Sequence, residues 1–172
     1  MKSTLPSVLL LGDARLRQMS EEVIDFADRT LVSEVKTLHA VLDRFRSEYG
    51  FGRAIAAPQI GILKRIIALN IEGKRSTLIN PVINWLSEDM FSVWDDCFSF
   101  PDLLVQVNRH SSISLDFVNE SGASSSWSKL SPSTSELLQH EIDHLNGILA
   151  IDRAIDRQSI VYRRTRINSL PN

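Results

Sequence analysis

Apolar residues at Leu31, Val35, Leu38, Leu42 and Phe45 follow a 4-3-4-3 spacing, which lines one face of a helix. The spacing predicts a long amphipathic helix from Arg29 or Thr30 to Gly50, packed on the core. His39 lies beside that stripe and reads as a surface or boundary residue, as does His110 at a loop; neither has ligand spacing. Residues 63–71, 76–81, 103–109 and 113–118 are β-branched and aliphatic runs, the last alternating cleanly at Ile113, Leu115 and Phe117, and predict strands. Asn119-Glu120-Ser121-Gly122 predicts a turn, residues 124–126 a loop or strand edge, and Trp127 a return to the packed interior. The chain carries no internal repeat and no clear linker.

A second helix is marked by its ends. Ser133 and Glu136 have the spacing of a capping box, Leu137, Leu138, Ile142 and Leu145 supply apolar positions, and Asn146-Gly147 is a stop signal. Strands between two such helices give an α+β domain. This second helix carries His140-Glu141-Ile142-Asp143-His144, an HExxH run. Histidines four residues apart on a helix share a face, with Cβ atoms about 5–6 Å apart, close enough to hold one metal ion. A metal with an open position makes bound water acidic, and Glu141 beside it can accept the proton, which is hydrolytic chemistry.

The third ligand decides between two kinds of hydrolase. Asp152 and Asp156 lie downstream, where small zinc peptidases recruit an acid, but both stand among arginines and read as surface ion pairs. Upstream, Cys97 is the only cysteine, and thiolate is a good ligand for zinc or ferrous iron.

Composition narrows the setting. With 172 residues, 43% of them hydrophobic, the chain suits one domain with a sizeable core. Nineteen basic against twenty-one acidic residues give a net charge of −2, which argues against a globally basic, sequence-specific nucleic-acid binder. No stretch approaches the roughly 18 apolar residues of a membrane span, and the apolar run Val8–Leu11 is too short for a signal peptide's core. A cytoplasmic protein is expected. A single cysteine rules out an internal disulfide and suits a reducing compartment.

Gly52-Arg53-Ala54-Ile55-Ala56-Ala57-Pro58-Gln59, then Cys97-Phe98-Ser99-Phe100-Pro101, then Gln139-His140-Glu141-Ile142-Asp143-His144-Leu145-Asn146-Gly147 occur in that order. Together they resemble the three signature motifs of the peptide deformylases, and the resemblance runs over most of residues 8–153. It implies antiparallel sheets around a central helix bearing the two histidines. The metal ligands would be Cys97, His140 and His144, holding one divalent ion. Ferrous iron is implied in the cell, and the donors also accept Zn2+, Ni2+ or Co2+. Glu141 would be the base, with the Gln59 amide and the Phe98 backbone N–H as donors to the reacting carbonyl. Gly52, Arg53, Ala54, Val93, Glu136 and Leu137 would bind substrate, an N-formylated peptide or nascent chain. Residues 154–172 would be a C-terminal extension, read either as a basic amphipathic helix or as a solvated run, and in some family members such an extension docks on the ribosome.

Three departures stand out. Ala54 replaces the second glycine of the first motif, Asp95-Asp96-Cys97-Phe98-Ser99 replaces the usual Glu-Gly-Cys-Leu-Ser, and the charged Arg53 and Glu136 fall where the family lines an apolar methionine pocket. Two charges in such a pocket must pair or turn outward. The pattern therefore leaves open a deformylase retuned to another N-formyl substrate, or a non-catalytic binding relative.

Overall fold

A computed structural model describes residues 5–167. The first long helix, α1, spans Arg29–Tyr49. Its start is capped by the Asp28 carboxylate, which accepts from the Thr30 amide at 2.8 Å. It ends at Gly50, held left-handed at φ 75°. The predicted stripe is buried as a set, joined by Val41.

Among the described residues, eight strands form two antiparallel sheets. The larger holds, in spatial order, β1 (Ala54–Ala56), β2 (Ile66–Ile71), β3 (Lys74–Leu86), β6 (Ile113–Val118) and β7 (Ser124–Trp127). The smaller holds β4 (Met90–Asp96), β5 (Leu103–His110) and β8 (Ile160–Tyr162). The second helix, α2 (Pro132–Leu145), lies between them and is buried from Ser135 onward. Leu137, Leu138, Ile142 and Leu145 pack into a core with Ile67, Leu78 and Leu115 of the larger sheet. On its other side, Gln139 Oε1 accepts from the His110 amide at 3.0 Å, and its Nε2 donates to the His110 carbonyl at 2.9 Å. Gln139 thereby pairs with the end of β5 much as a strand would, which fixes the rotation of α2 about its axis. The α+β expectation, with antiparallel sheets around a motif-bearing helix, holds.

Several local expectations need correction. Strand β3 continues through Pro81 to Leu86, because register shifts and a left-handed Asn80 (φ 51°) absorb the break there. Asn80 is anchored in that conformation by its amide, which bonds both the N–H and the carbonyl of Val23. His39 is buried rather than on the surface, with Nε2 2.8 Å from Thr77 Oγ1, whose hydroxyl in turn donates to Glu120. Ser133 and Glu136 form no capping box. Helix α2 starts two residues earlier than that box requires, with Ser131 at the cap and Pro132 in the first turn. Asp152 does pair with Arg17, whereas Asp156 closes a local turn by accepting from Ser159 Oγ and the Gln158 amide. Trp127 returns to pack edge-on against Phe117 at 5.1 Å between ring centroids.

The C-terminal segment is not one amphipathic helix. Ile160–Tyr162 adds to the edge of the smaller sheet as β8, and only Arg163–Ile167 is helical (α3). Residues 168–172 of the expected extension lie outside the described residues.

Candidate metal centre and cleft

Three side chains from two elements converge on one buried point. Helix α2 projects His140 and His144 from one face, and Cys97 follows directly on β4. Cys97 Sγ lies 3.3 Å from His144 Nε2, and the two histidine Nε2 atoms are 3.1 Å apart. All three ligand atoms fall within 4.8 Å of one another, and among the described residues no other such group occurs. Asp152 and Asp156 are not part of this cluster, and Cys97 is.

The donor set fits a divalent metal on chemical grounds. His140 Nδ1 donates to Asp95 Oδ2 at 2.9 Å, which leaves the Nε2 lone pair directed at the cluster. Burial and the neighbouring His140 hold His144 well below the ordinary imidazole value, which favours its neutral ring. Burial works against charge on His140, but Asp95 and Cys97 overcome it and raise its affinity for a proton. The Asp95 carboxylate favours a bound cation on the ring in the same way.

Asp95 is itself fixed. Burial pushes its carboxyl up, yet His140 and Arg109 outweigh that and keep it below the usual carboxylate range. Arg109, 3% exposed, bridges Asp95 (3.0 Å) and Asp143 (2.6 Å), and Asp143 also accepts from Arg153 at 2.8 Å. This network joins β4, β5 and α2 behind the Cys-His-His cluster. The pairing of Asp143 with Arg109 follows from the motif's need for a rigid outer layer, but Arg153 as a further partner has no signal in the sequence.

Glu141 is 3% exposed, and its Oε2 has no hydrogen-bond partner. Burial pushes its carboxyl up to about 7, only partly opposed by His140. Gln59 completes the inner wall. The Ala56 amide donates to its Oε1 at 2.9 Å, so its Nε2 is turned toward Cys97 Sγ (3.6 Å) and Ser99 Oγ (3.4 Å). Ser99, which sequence reasoning did not single out, also donates its own N–H to Cys97 Sγ at 3.4 Å.

Outward from these groups a cleft of about 500 Å³ opens, lined by Gly52, Arg53, Ala54, Val93, Glu136 and Leu137 among others. All six residues expected to bind substrate therefore share one cavity with Cys97, Gln59, Phe98, His140 and Glu141. Gly52 sits at φ +114°, and a Cβ there would fall 2.6 Å from Phe98 Cε1, so the backbone crosses the Phe98 ring where no side chain fits. Phe98 stacks on Phe45 of α1 at 3.6 Å between centroids, which explains why an aromatic residue is accommodated after Cys97. The two charges in the cleft pair with each other. Arg53 Nη2 contacts Glu136 Oε1, while its Nη1 donates to the Ser133 carbonyl (2.9 Å) and hydroxyl (2.8 Å). Burial raises the Glu136 carboxyl, with Arg53 opposing.

A Cys-His-His cluster beside a buried glutamate and an open cleft is the equipment of a metal-dependent hydrolase. Residues 6–159 match the family model described as polypeptide deformylase, and the chain belongs to that family, whose members remove the N-formyl group from nascent polypeptides. Peptide deformylase 1 of Prochlorococcus marinus is 32% identical over 163 residues, covering 88% of this chain and 82% of that protein. The peptide deformylase of Pseudothermotoga lettingae is 36% identical over 146 residues, covering 84% and 80%. Among solved structures, the Thermotoga maritima peptide deformylase superposes with a TM-score of 0.81 at 27% identity, covering 89% of this chain and 99% of that one. A Synechococcus elongatus peptide deformylase in complex with actinonin gives 0.82 at 28% identity, covering 92% and 84%. No helix among the described residues is long and apolar enough to cross a membrane.

Proposed function

We propose that this chain removes the formyl group from the N-terminal methionine of nascent polypeptides through Cys97, His140, His144, Glu141, Gln59 and Phe98. The observation that carries the reading is the convergence of the three buried ligand atoms on the same cleft as Glu141 and Gln59. Cys97, His140 and His144 would hold a divalent metal, and the chemistry it would supply when bound is an acidic water and polarisation of a carbonyl. The resemblance points to ferrous iron, with zinc, nickel or cobalt compatible with the same donors.

Glu141 takes the proton from the attacking water. Its buried carboxyl, poised near neutrality, has the proton affinity of a base that can also give the proton back. Water oxygen bonds to the formyl carbon, the C–N bond breaks, and Glu141 returns the proton to the departing amine, so the products are formate and a free N-terminus. Gln59, whose amide orientation is fixed by Ala56, and the Phe98 backbone N–H donate to the carbonyl oxygen as charge builds there, each worth about 2.7–4 kcal/mol. The backbone of Gly52 and Ala54, with little side chain in the way, lets an extended peptide lie along the wall.

A second reading concerns the substrate's first side chain. The Arg53–Glu136 pair lines the cleft, and Glu136 stands one helical turn, about 6 Å, from His140. A wall of paired charge there favours a small or polar first side chain over methionine. We read residues 1–172 as one deformylase domain acting in the cytoplasm, with 154–172 as its C-terminal extension and exposed Arg157 as a basic group for a ribosome contact. The test is formate release from formyl-Met-Ala peptides by anaerobically prepared, iron- or nickel-loaded protein, with metal analysis of Cys97→Ala alongside. Formate from the wild type and loss of metal in the variant are expected; metal retained in Cys97→Ala would remove the proposed ligand set.

A further inference from the structure

The smaller sheet brings the C-terminal segment to the mouth of the cleft. Leu103 pairs with Tyr162 across β5 and β8, and the Arg163 amide donates to the Asp102 carbonyl at 2.7 Å. These backbone bonds deliver the Arg163 side chain to a defined place. Its Nε donates to the Pro101 carbonyl at 3.0 Å, and its Nη2 donates to Asp96 Oδ2 at 3.0 Å. Its guanidinium carbon lies 4.4 Å from the centre of the Phe51 ring.

Asp96 and Pro101 bracket the short loop that carries Cys97, Phe98 and Ser99. One planar cation therefore ties the two ends of that loop together, and its face covers Phe51, which meets the Phe98 ring edge-on at 6.1 Å. The middle of the loop is held from below by the stack of Phe98 on Phe45. Asp96 stands where the family pattern has glycine, and Arg163 pairs with its carboxylate. Only a guanidinium can hold two acceptors in fixed directions and cover a ring at once; an ammonium offers a single point of charge.

We propose that Arg163 is a positioning residue of the active site: from the C-terminal strand it clamps the ends of the 96–101 loop and so sets the placement of Cys97 and the Phe98 N–H. The inference rests on the deformylase reading, because that loop carries the proposed ligand and oxyanion donor. A misplacement of about 1 Å at such groups costs on the order of a hundredfold in rate even when substrate still binds.

The test compares full-length, metal-loaded wild type with Arg163→Ala, Arg163→Lys and Arg164→Ala. Arg164 lies on the same short helix over Tyr162 and controls for lost charge. For Arg163→Ala, kcat on a formyl-Met-Ala peptide is expected to fall by about tenfold or more with KM changed far less. Arg163→Lys should stay near the alanine variant, and Arg164→Ala near wild type. Amide hydrogen exchange of metal-free protein should show protection lost over 97–101 and kept in α2 and the larger sheet. Unchanged kcat in Arg163→Ala, full rescue by lysine, or protection lost throughout the molecule would each overturn the proposal. Should Arg163→Ala fail to fold, Asp96→Asn, which leaves β8 intact, must show the same kcat loss in weaker form. A wild type that releases no formate would sink the deformylase reading instead, while the exchange comparison over 97–101 would still decide the role of Arg163.

Discussion

Asp95 accepts from His140 Nδ1 at 2.9 Å and from Arg109 Nη2 at 3.0 Å with the same oxygen, Oδ2. One buried carboxylate thus orients a proposed metal ligand while being oriented itself. Asp95→Asn keeps the shape but lets the amide present N–H to the ring. It is expected to weaken metal affinity by roughly 10–100-fold. Competition with a chelator measures this, and affinity equal to wild type would show that His140 needs no such partner.

The Arg53–Glu136 pair makes a selectivity prediction. Comparing kcat/KM for formyl-Met, formyl-Ala and formyl-Ser peptides should show the small or polar first residues preferred, and Arg53→Ile with Glu136→Ile should restore preference for methionine. A wild-type preference for methionine of tenfold or more, about 1.4 kcal/mol, would mean that the pair does not meet the substrate's side chain.

Gly52 tests the packing of the cleft wall. Its left-handed φ of +114°, and a Phe98 ring whose Cε1 would stand 2.6 Å from any Cβ added there, leave no room for alanine. Gly52→Ala should lose about 1–3 kcal/mol of stability and most of its activity, because Phe98 must move. Thermal unfolding and formate release measure the two; an alanine variant as stable and active as wild type would refute the close approach.

His39 predicts an acid dependence away from the site. Burial holds its pKa below the ordinary value, opposed by the Glu120 charge, with Arg75 adding to the lowering and Asp43 opposing. The folded state therefore prefers the neutral ring. Its contribution is complete above the unfolded value near about 6.5 and is lost as pH falls below it. Denaturant unfolding from pH 7 down to about 5 should show a shallower loss in His39→Gln than in wild type, and parallel curves would contradict the assignment.

Much of this was legible in the sequence, and the exceptions have physical causes. Helix α1, strands β5 and β6 and the motif helix each carry a period that burial enforces, and Cys97, His140, Glu141 and His144 stand in motifs whose spacing is fixed by ligand geometry. Strand β4 was hidden because its buried side chain is Asp95, a residue that strands disfavour and that is kept there by His140 and Arg109. His39 falls on the boundary of an apolar stripe, and its buried Nε2 is met by Thr77, 38 residues away, with Glu120 beyond it. The Ser133–Glu136 spacing suggested a local cap, but a distant arginine competed for the carboxylate and won. Arg163 looked like one more charge in a basic tail, since nothing local marks β8 as the neighbour of β5.

The central claim is that Glu141 moves the proton while other residues hold the metal. Glu141→Gln preserves the size of the side chain and leaves Cys97, His140 and His144 in place. The decisive measurement is formate release per bound metal from a formyl-Met-Ala peptide, for wild type and Glu141→Gln prepared side by side without oxygen. The expected result is full metal content in both, with turnover in the variant lower by about 10²–10⁴-fold. Near-wild-type turnover in a fully loaded Glu141→Gln would contradict the mechanism.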